Sequence, residues 1–192
     1  MNTMKNLKTL ALIAFVALST AAVSAQTKKI DVAKSKIHWV GKKVTGKHEG
    51  TIAFKEGALT YTAKKLSGGR FTVDMNSINV TDLKAGDGKE KLEGHLKAED
   101  FFGTQNYPTA KLIFRKVTEK SPGVYTVQGD LTIKEKNNEI TFDLAVKGNT
   151  ATTKLIVDRT RYDIKYGSGS FFSDLGDKAI SDDFELTVSL QF

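Results

Sequence analysis

The feature that most constrains this chain is a period of two. From Ile37 onward apolar and polar residues alternate through most segments. Clear cases are Ile140, Phe142, Leu144 and Val146, and the closing row Phe184, Leu186, Val188, Leu190 and Phe192. Successive side chains of a strand point to opposite faces, so such alternation puts one apolar row inside and one wet row outside. Turn-forming residues interrupt the rows: residues 41–46, Glu56-Gly57, Gly68-Gly69, Ser121-Pro122-Gly123, Asn137-Asn138 and Gly148-Asn149. About eight strands at hairpin-like spacing predict a mainly all-β body, an up-and-down barrel or a sandwich. An eight-stranded barrel either fills with side chains or holds one small ligand, and periodicity does not choose between these.

Local departures from the pattern carry information. The apolar phase slips by one at Ile78 and Val80, which predicts a bulge or a strand end near Ser77. Beyond it Asp87 and Glu90 stand three apart, as in a capping box, and Leu92 and Leu96 stand four apart. A short helix with one buried stripe is expected there. Phe101-Phe102 follows, and Tyr107-Pro108 returns the chain to an extended path. A second connection, rich in Gly and Ser, carries Phe171-Phe172.

Charge on the apolar phase marks a candidate site. Leu155, Val157, Arg159 and Arg161 share one strand phase. If the first two point inward, both arginines are expected inward near the strand end. A buried guanidinium needs a partner. Asp158, Asp163, Asp182 or Asp183 would supply an internal pair; a polar ligand head would supply forked hydrogen bonds instead. The Phe pairs either plug the ends of a core or line an apolar portal. The candidate ligand-binding set is Trp39, Phe71, Phe101, Phe102, Phe142, Arg159, Arg161, Phe171 and Phe172.

Enzymatic motifs are not found. His38, His48 and His95 lack a metal-helix spacing, there is no cysteine, and His48-Glu49 is not followed by the second His of a zincin. Gly167-Ser168-Gly169 is neither a nucleophile elbow nor a dinucleotide loop. The expectation is a binding protein with no catalytic residue, no metal and no resident cofactor.

The first 25 residues read as a secretory signal peptide. Lys5 and Lys8 precede a mostly apolar run from Leu10 to Val23, and Val23-Ser24-Ala25 offers a small-residue cleavage site. The remaining residues, 26–192, suit one domain placed in the periplasm or secreted. Removing the leader lowers the formal charge from +7 to +5. The remaining lysines are dispersed, unlike the concentrated patch of a nucleic-acid binder, so no nucleic acid is expected. A transient contact with an anionic membrane surface and a homodimer stay open.

The sequence also resembles the YceI-like, polyisoprenoid-binding family of exported bacterial proteins. The resemblance runs through Gly46-Lys47-His48-Glu49-Gly50-Thr51-Ile52, through residues 69–78 (GRFTVDMNSI) and through Leu92-Glu93-Gly94-His95-Leu96 with Asp100-Phe101-Phe102 and Tyr107-Pro108. It continues in Gly129-Asp130-Leu131-Thr132-Ile133-Lys134 and Asp158-Arg159-Thr160-Arg161-Tyr162-Asp163. It implies a lipocalin-like eight-stranded antiparallel barrel, with one or two short helices in its connections and an elongated apolar cavity. The implied ligand is an amphipathic lipid with a long isoprenoid chain, such as a quinone tail or a polyprenyl lipid. One departure is Glu135, where relatives often place a glycine after the Leu-Thr-Ile-Lys strand. Two other readings compete: an outer-membrane β-barrel, and a barrel with a filled core that serves as an interaction protein. Trp39 and five tyrosines are few for the aromatic girdles of the former.

Overall fold

The computed structural model describes residues 24–192, so the expected leader lies outside the described residues except for Ser24 and Ala25. Nine strands follow in order: β1 (Ala25–Lys29), β2 (Lys36–Lys43), β3 (Gly46–Thr62), β4 (Lys65–Val80), β5 (Thr109–Ser121), β6 (Val124–Ile133), β7 (Lys136–Lys147), β8 (Thr150–Asp158) and β9 (Ile180–Gln191). One helix, α1 (Lys89–Lys97), lies between β4 and β5. All pairings between strands are antiparallel. β2 pairs β9 and β3 pairs β4, so β2 to β9 close into an eight-stranded barrel. The polar segment before Ile37 adds β1, which pairs the C-terminal half of β3 while β2 pairs its N-terminal half.

Three expected turns lie elsewhere. β3 runs through Glu56-Gly57, β4 through Gly68-Gly69 and β7 through Asn137-Asn138. The glycines serve close approach rather than turning. A Cβ at Gly57 would stand 2.5 Å from Cδ1 of Phe71, and one at Gly69 would stand 2.8 Å from Cδ2 of Phe114. The hairpins turn instead on Ala63-Lys64 and Lys134-Glu135, all four residues with positive φ. Two successive positive-φ residues give the turn twist that matches the strands. The slip at Ser77 is real. Ala53 pairs Asp74 whereas Thr51 pairs Asn79, and Ser77 Oγ accepts from Ala53 N while donating to Asp74 O.

Asp87 is not the helix cap. Gly88 takes that position with φ 89°, and Glu90 reaches back to accept from Gly86 N. The helix is tied to the barrel by Glu93, which accepts from Val80 N, and by Lys89, which donates to Asn79 Oδ1.

The barrel is filled at one end and hollow toward the other. Buried Leu59, Tyr61, Leu66, Tyr125, Val127 and Leu190 pack the end remote from α1. Above them Phe54, Phe71, Phe114 and Phe142 follow one another ring to ring at 5.6–6.0 Å.

Tyr162 is buried by a change of backbone geometry. β8 ends at Asp158, and a 3-10 turn over Arg159–Tyr162 replaces the strand period. Tyr162 is 1% exposed, its hydroxyl has no hydrogen-bond partner, and burial pushes its pKa up to about 12. A raised folded-state pKa means a contribution present below pH ~10 and lost as pH rises toward 12, on the order of 2–3 kcal/mol. Urea unfolding should therefore show wild type losing more stability than Tyr162→Phe between pH 10 and 12. At pH 7 the variant should be at least as stable, because no hydrogen bond is lost.

Candidate functional site

The hollow part holds two adjoining apolar chambers, one of about 210 Å³ and one of about 80 Å³. Ile37, Val73, Ala110, Leu131 and Leu186 border both and form the collar between them. The larger chamber lies under α1. Trp39, Met75, Ile78, Ile133 and Phe184 make its wall, and Leu92, His95 and Leu96 on α1 cover it with Phe101 and Phe102. Lys42, Lys43, His48, Ser181 and Asp183 gather where the β2–β3 hairpin meets the start of β9. That gives one chamber an apolar interior and a polar border.

The cover is an aromatic cluster. His95 meets Tyr166 edge-on at 4.4 Å and Phe101 at 5.6 Å, and Phe102 packs against Phe101 and Phe184. Trp39 is held flat against the wall by its Nε1 donating to Thr51 O at 3.2 Å. Its ring occupies the space a side chain at position 50 would need: a Cβ on Gly50 would lie 2.5 Å from Cζ2. Gly41 differs. It shares the inward phase of Ile37 and Trp39, and a Cβ built there meets no heavy atom within 4 Å.

Arg159 is 2% exposed and borders the larger chamber. Three of its five N–H donors are engaged by backbone carbonyls. Nε donates to Ser181 O at 2.9 Å, Nη1 to Ile164 O at 2.7 Å and Nη2 to Ile180 O at 3.1 Å. Asp182 Oδ1 stands 3.6 Å from Nη2, and the Phe101 ring lies 5.6 Å from the guanidinium carbon. Burial draws the guanidinium's pKa down, with Asp182 and Asp158 opposing it. Burial also pushes Asp182 up, but hydrogen bonds from Ser168 and Ser170 and the charge of Arg159 outweigh it, leaving its carboxyl below the usual range. Arg159 thus fastens the connection after β8 to the first residues of β9.

The structure divides the expected site residues into three groups. Trp39, Phe101, Phe102 and Arg159 line the larger chamber, whereas Phe71 and Phe142 line the smaller one. Arg161, Phe171 and Phe172 border neither chamber. Arg161 is exposed because the 3-10 turn ends the alternation, and Tyr162 takes the inward place. Phe171 and Phe172 are about half exposed, and Lys165 Nζ lies 5.1 Å from the Phe171 ring centroid. Sequence reasoning did not single out Gly41, His48, Ile180 or Phe184 for the site. The phase of β9 carries a signal for Phe184; nothing local marks Gly41.

The YceI-like domain matches residues 29–192. A UPF0312 protein of Shewanella denitrificans is 30% identical over 95 residues, covering 50% of this chain and 45% of its own length. A UPF0312 protein of Staphylococcus aureus (strain USA300) is 36% identical over 103 residues, covering 50% and 53%. The chain thus spans about half the length of these curated relatives. Among solved structures, BcnA of Burkholderia cenocepacia superposes with a TM-score of 0.66 at 24% identity, covering 84% of this chain and 98% of its own. A polyisoprenoid binding domain from Saccharophagus degradans, implicated in plant cell wall breakdown, superposes at 0.56 with 14% identity, covering 88% and 97%. At these identities the structural likeness establishes the fold.

Proposed function

Because the chain belongs to the YceI-like domain family, we propose that its barrel binds an amphipathic lipid with an isoprenoid chain. The observation that carries this reading is the apolar chamber with a polar border. Hydrocarbon gains roughly 25 cal/mol for each Å² of apolar surface taken from water. The border of Lys42, Lys43, His48, Ser181 and Asp183 suits the polar head. The Saccharophagus degradans domain, described as binding polyisoprenoid, supports the chain's chemical class. The leader pattern supports a carrier that acts in the periplasm or outside the cell.

The outer face favours a carrier over a membrane-spanning barrel. Lys65 pairs with Glu119, Arg115 with Asp130 and Lys120 with Asp143, all from outward positions on the wall. A membrane barrel presents an apolar band there.

Gly41→Leu tests the chamber's role. The position has open space and ordinary backbone, so stability should change by less than about 0.5 kcal/mol. The added side chain should fill the chamber beside Trp39 and weaken binding of a fluorescent polyprenol at least about tenfold. Unchanged affinity in a folded variant would remove the chamber from the binding reaction.

A further inference from the structure

Four buried side-chain polar atoms among the described residues have no hydrogen-bond partner: Tyr61 Oη, His95 Nε2, Tyr162 Oη and Asp182 Oδ1. Native proteins pair nearly all such atoms, so each exception calls for a reason. Tyr61 and Tyr162 are packed into the core and border neither chamber. Asp182 Oδ1 faces Nη2 of Arg159 at 3.6 Å. His95 is the one of the four that borders a chamber.

Its placement follows from the helix period. Leu92, His95 and Leu96 stand three and four apart on α1, share one face, and all border the larger chamber. A third aliphatic side chain would complete an apolar cover, but the chain puts an imidazole there. Tyr166 at 4.4 Å and Phe101 at 5.6 Å meet the ring edge-on and limit its rotation. Asp100 Oδ2 lies 3.7 Å from Nε2, beyond hydrogen-bond reach, on a half-exposed side chain. The His95 side chain is itself 34% exposed. Water thus reaches part of the ring but not Nε2, which lies on the side turned to the protein.

Tyr166 also locates His95 along the chamber. Its neighbour Gly167 accepts from Ile180 N at 2.8 Å, and Ile180 pairs Lys43 between β9 and β2. His95 therefore stands over the polar border, where the lipid-binding reading puts the head.

The chemistry of Nε2 says what should meet it. A neutral imidazole carries its proton on either nitrogen, so Nε2 donates in one tautomer and accepts in the other. A hydroxyl pairs with both tautomers, a carbonyl with only one. A bare hydrocarbon would leave Nε2 buried and unpaired, whereas an alcohol would satisfy it. Resting on the lipid-binding reading, we infer that His95 Nε2 recognises the head of the lipid and that this head is a hydroxyl. The chamber then selects an isoprenoid alcohol over a hydrocarbon of the same size.

Hexaprenol and squalene, isoprenoids of equal carbon count with and without a hydroxyl, are titrated against wild type, His95→Phe and His95→Gln. Phe keeps the edge-on ring contacts and removes the nitrogen. Gln carries an amide nitrogen to about the place of Nε2. Wild type should prefer hexaprenol. In His95→Phe the hexaprenol-to-squalene affinity ratio should fall about tenfold, as for one hydrogen bond lost at a buried atom. A change of chamber shape acts on both chains and cancels in the ratio. His95→Gln should keep the ratio within about threefold of wild type. Without ligand His95→Phe should melt no lower than wild type, because it removes an unpaired buried atom. An unchanged ratio in His95→Phe overturns the proposal, as does an equal fall in both variants. A second readout uses wild type alone, isotope-labelled at the nitrogens of its three histidines. The His95 signal should move with hexaprenol and stay in place with squalene; an equal response overturns the proposal. Wild type that binds both lipids equally overturns the hydroxyl preference and leaves the lipid-binding reading standing. Wild type that binds neither overturns that reading itself.

Discussion

Phe142→Asp should leave the chain unfolded or close to it at 25 °C and pH 7, whereas Thr141→Asp should fold with nearly wild-type stability. Phe142 is 8% exposed on the inward phase of β7 and meets Phe114 ring to ring at 5.8 Å. Removing such a ring costs roughly 3–5 kcal/mol. A carboxylate without a buried partner adds a desolvation penalty of several kcal/mol. The total consumes most of a typical domain's stability of about 5–15 kcal/mol. Thr141 is the next residue, exposed on the same strand, so the pair isolates face from position. An exposed substitution of this kind costs about 0.5 kcal/mol or less. Denaturant midpoints compare the two, and equal losses would mean that the inward face of β7 is misassigned.

Arg159→Leu should lower stability by roughly 3–5 kcal/mol and leave head-group selectivity unchanged. The substitution strips the carbonyls of Ile164, Ile180 and Ser181 of their donors and leaves Asp182 without its cation. Each buried carbonyl left without its donor costs roughly 1–3 kcal/mol, and the partly buried Asp182, 3.6 Å from Nη2, adds less. Asp182→Asn in the same chain should recover part of the loss, because it removes the stranded charge. For the functional readout, folded protein is titrated with a polyprenol and with squalene, which has no polar head. The two affinities should keep their wild-type ratio. A ratio that moves toward squalene would show that Arg159 binds the head directly, which its engagement with three carbonyls argues against.

The strand phases and the all-β class were legible because alternation reports directly on burial, whereas closure into a barrel rather than a sandwich was implied only by the family resemblance. The phase slip at Ser77 pointed to a bulge for the same reason. The turns were less legible. Glycine signals either a turn or a close approach, and at Gly57 and Gly69 the partner that needs the space, Phe71 or Phe114, is distant in sequence. Conversely, Ala63-Lys64 and Lys134-Glu135 turn without glycine, so nothing local announced them. Glu135, the position where relatives often carry glycine, has φ 59° and so fits a positive-φ turn.

The candidate site divided in the same way. Trp39, Phe101, Phe102 and Arg159 reach the larger chamber because strand phase and the helix connection bring them there. Arg161 does not border either chamber, because a 3-10 turn replaces the strand directly after Asp158. Phe171 and Phe172 stand half exposed on a connection whose anchored members are Tyr166, packed on His95, and fully buried Ser168. Aromatic residues in a loop do not reveal from sequence which of them turn inward.

Native mass spectrometry of the protein purified from its host tests the central claim most directly. The predicted spectrum shows the protein carrying one isoprenoid lipid, with the adduct lost or much reduced in Gly41→Leu. Folded wild-type protein at its bare chain mass, unchanged after incubation with excess polyprenol, would contradict the account.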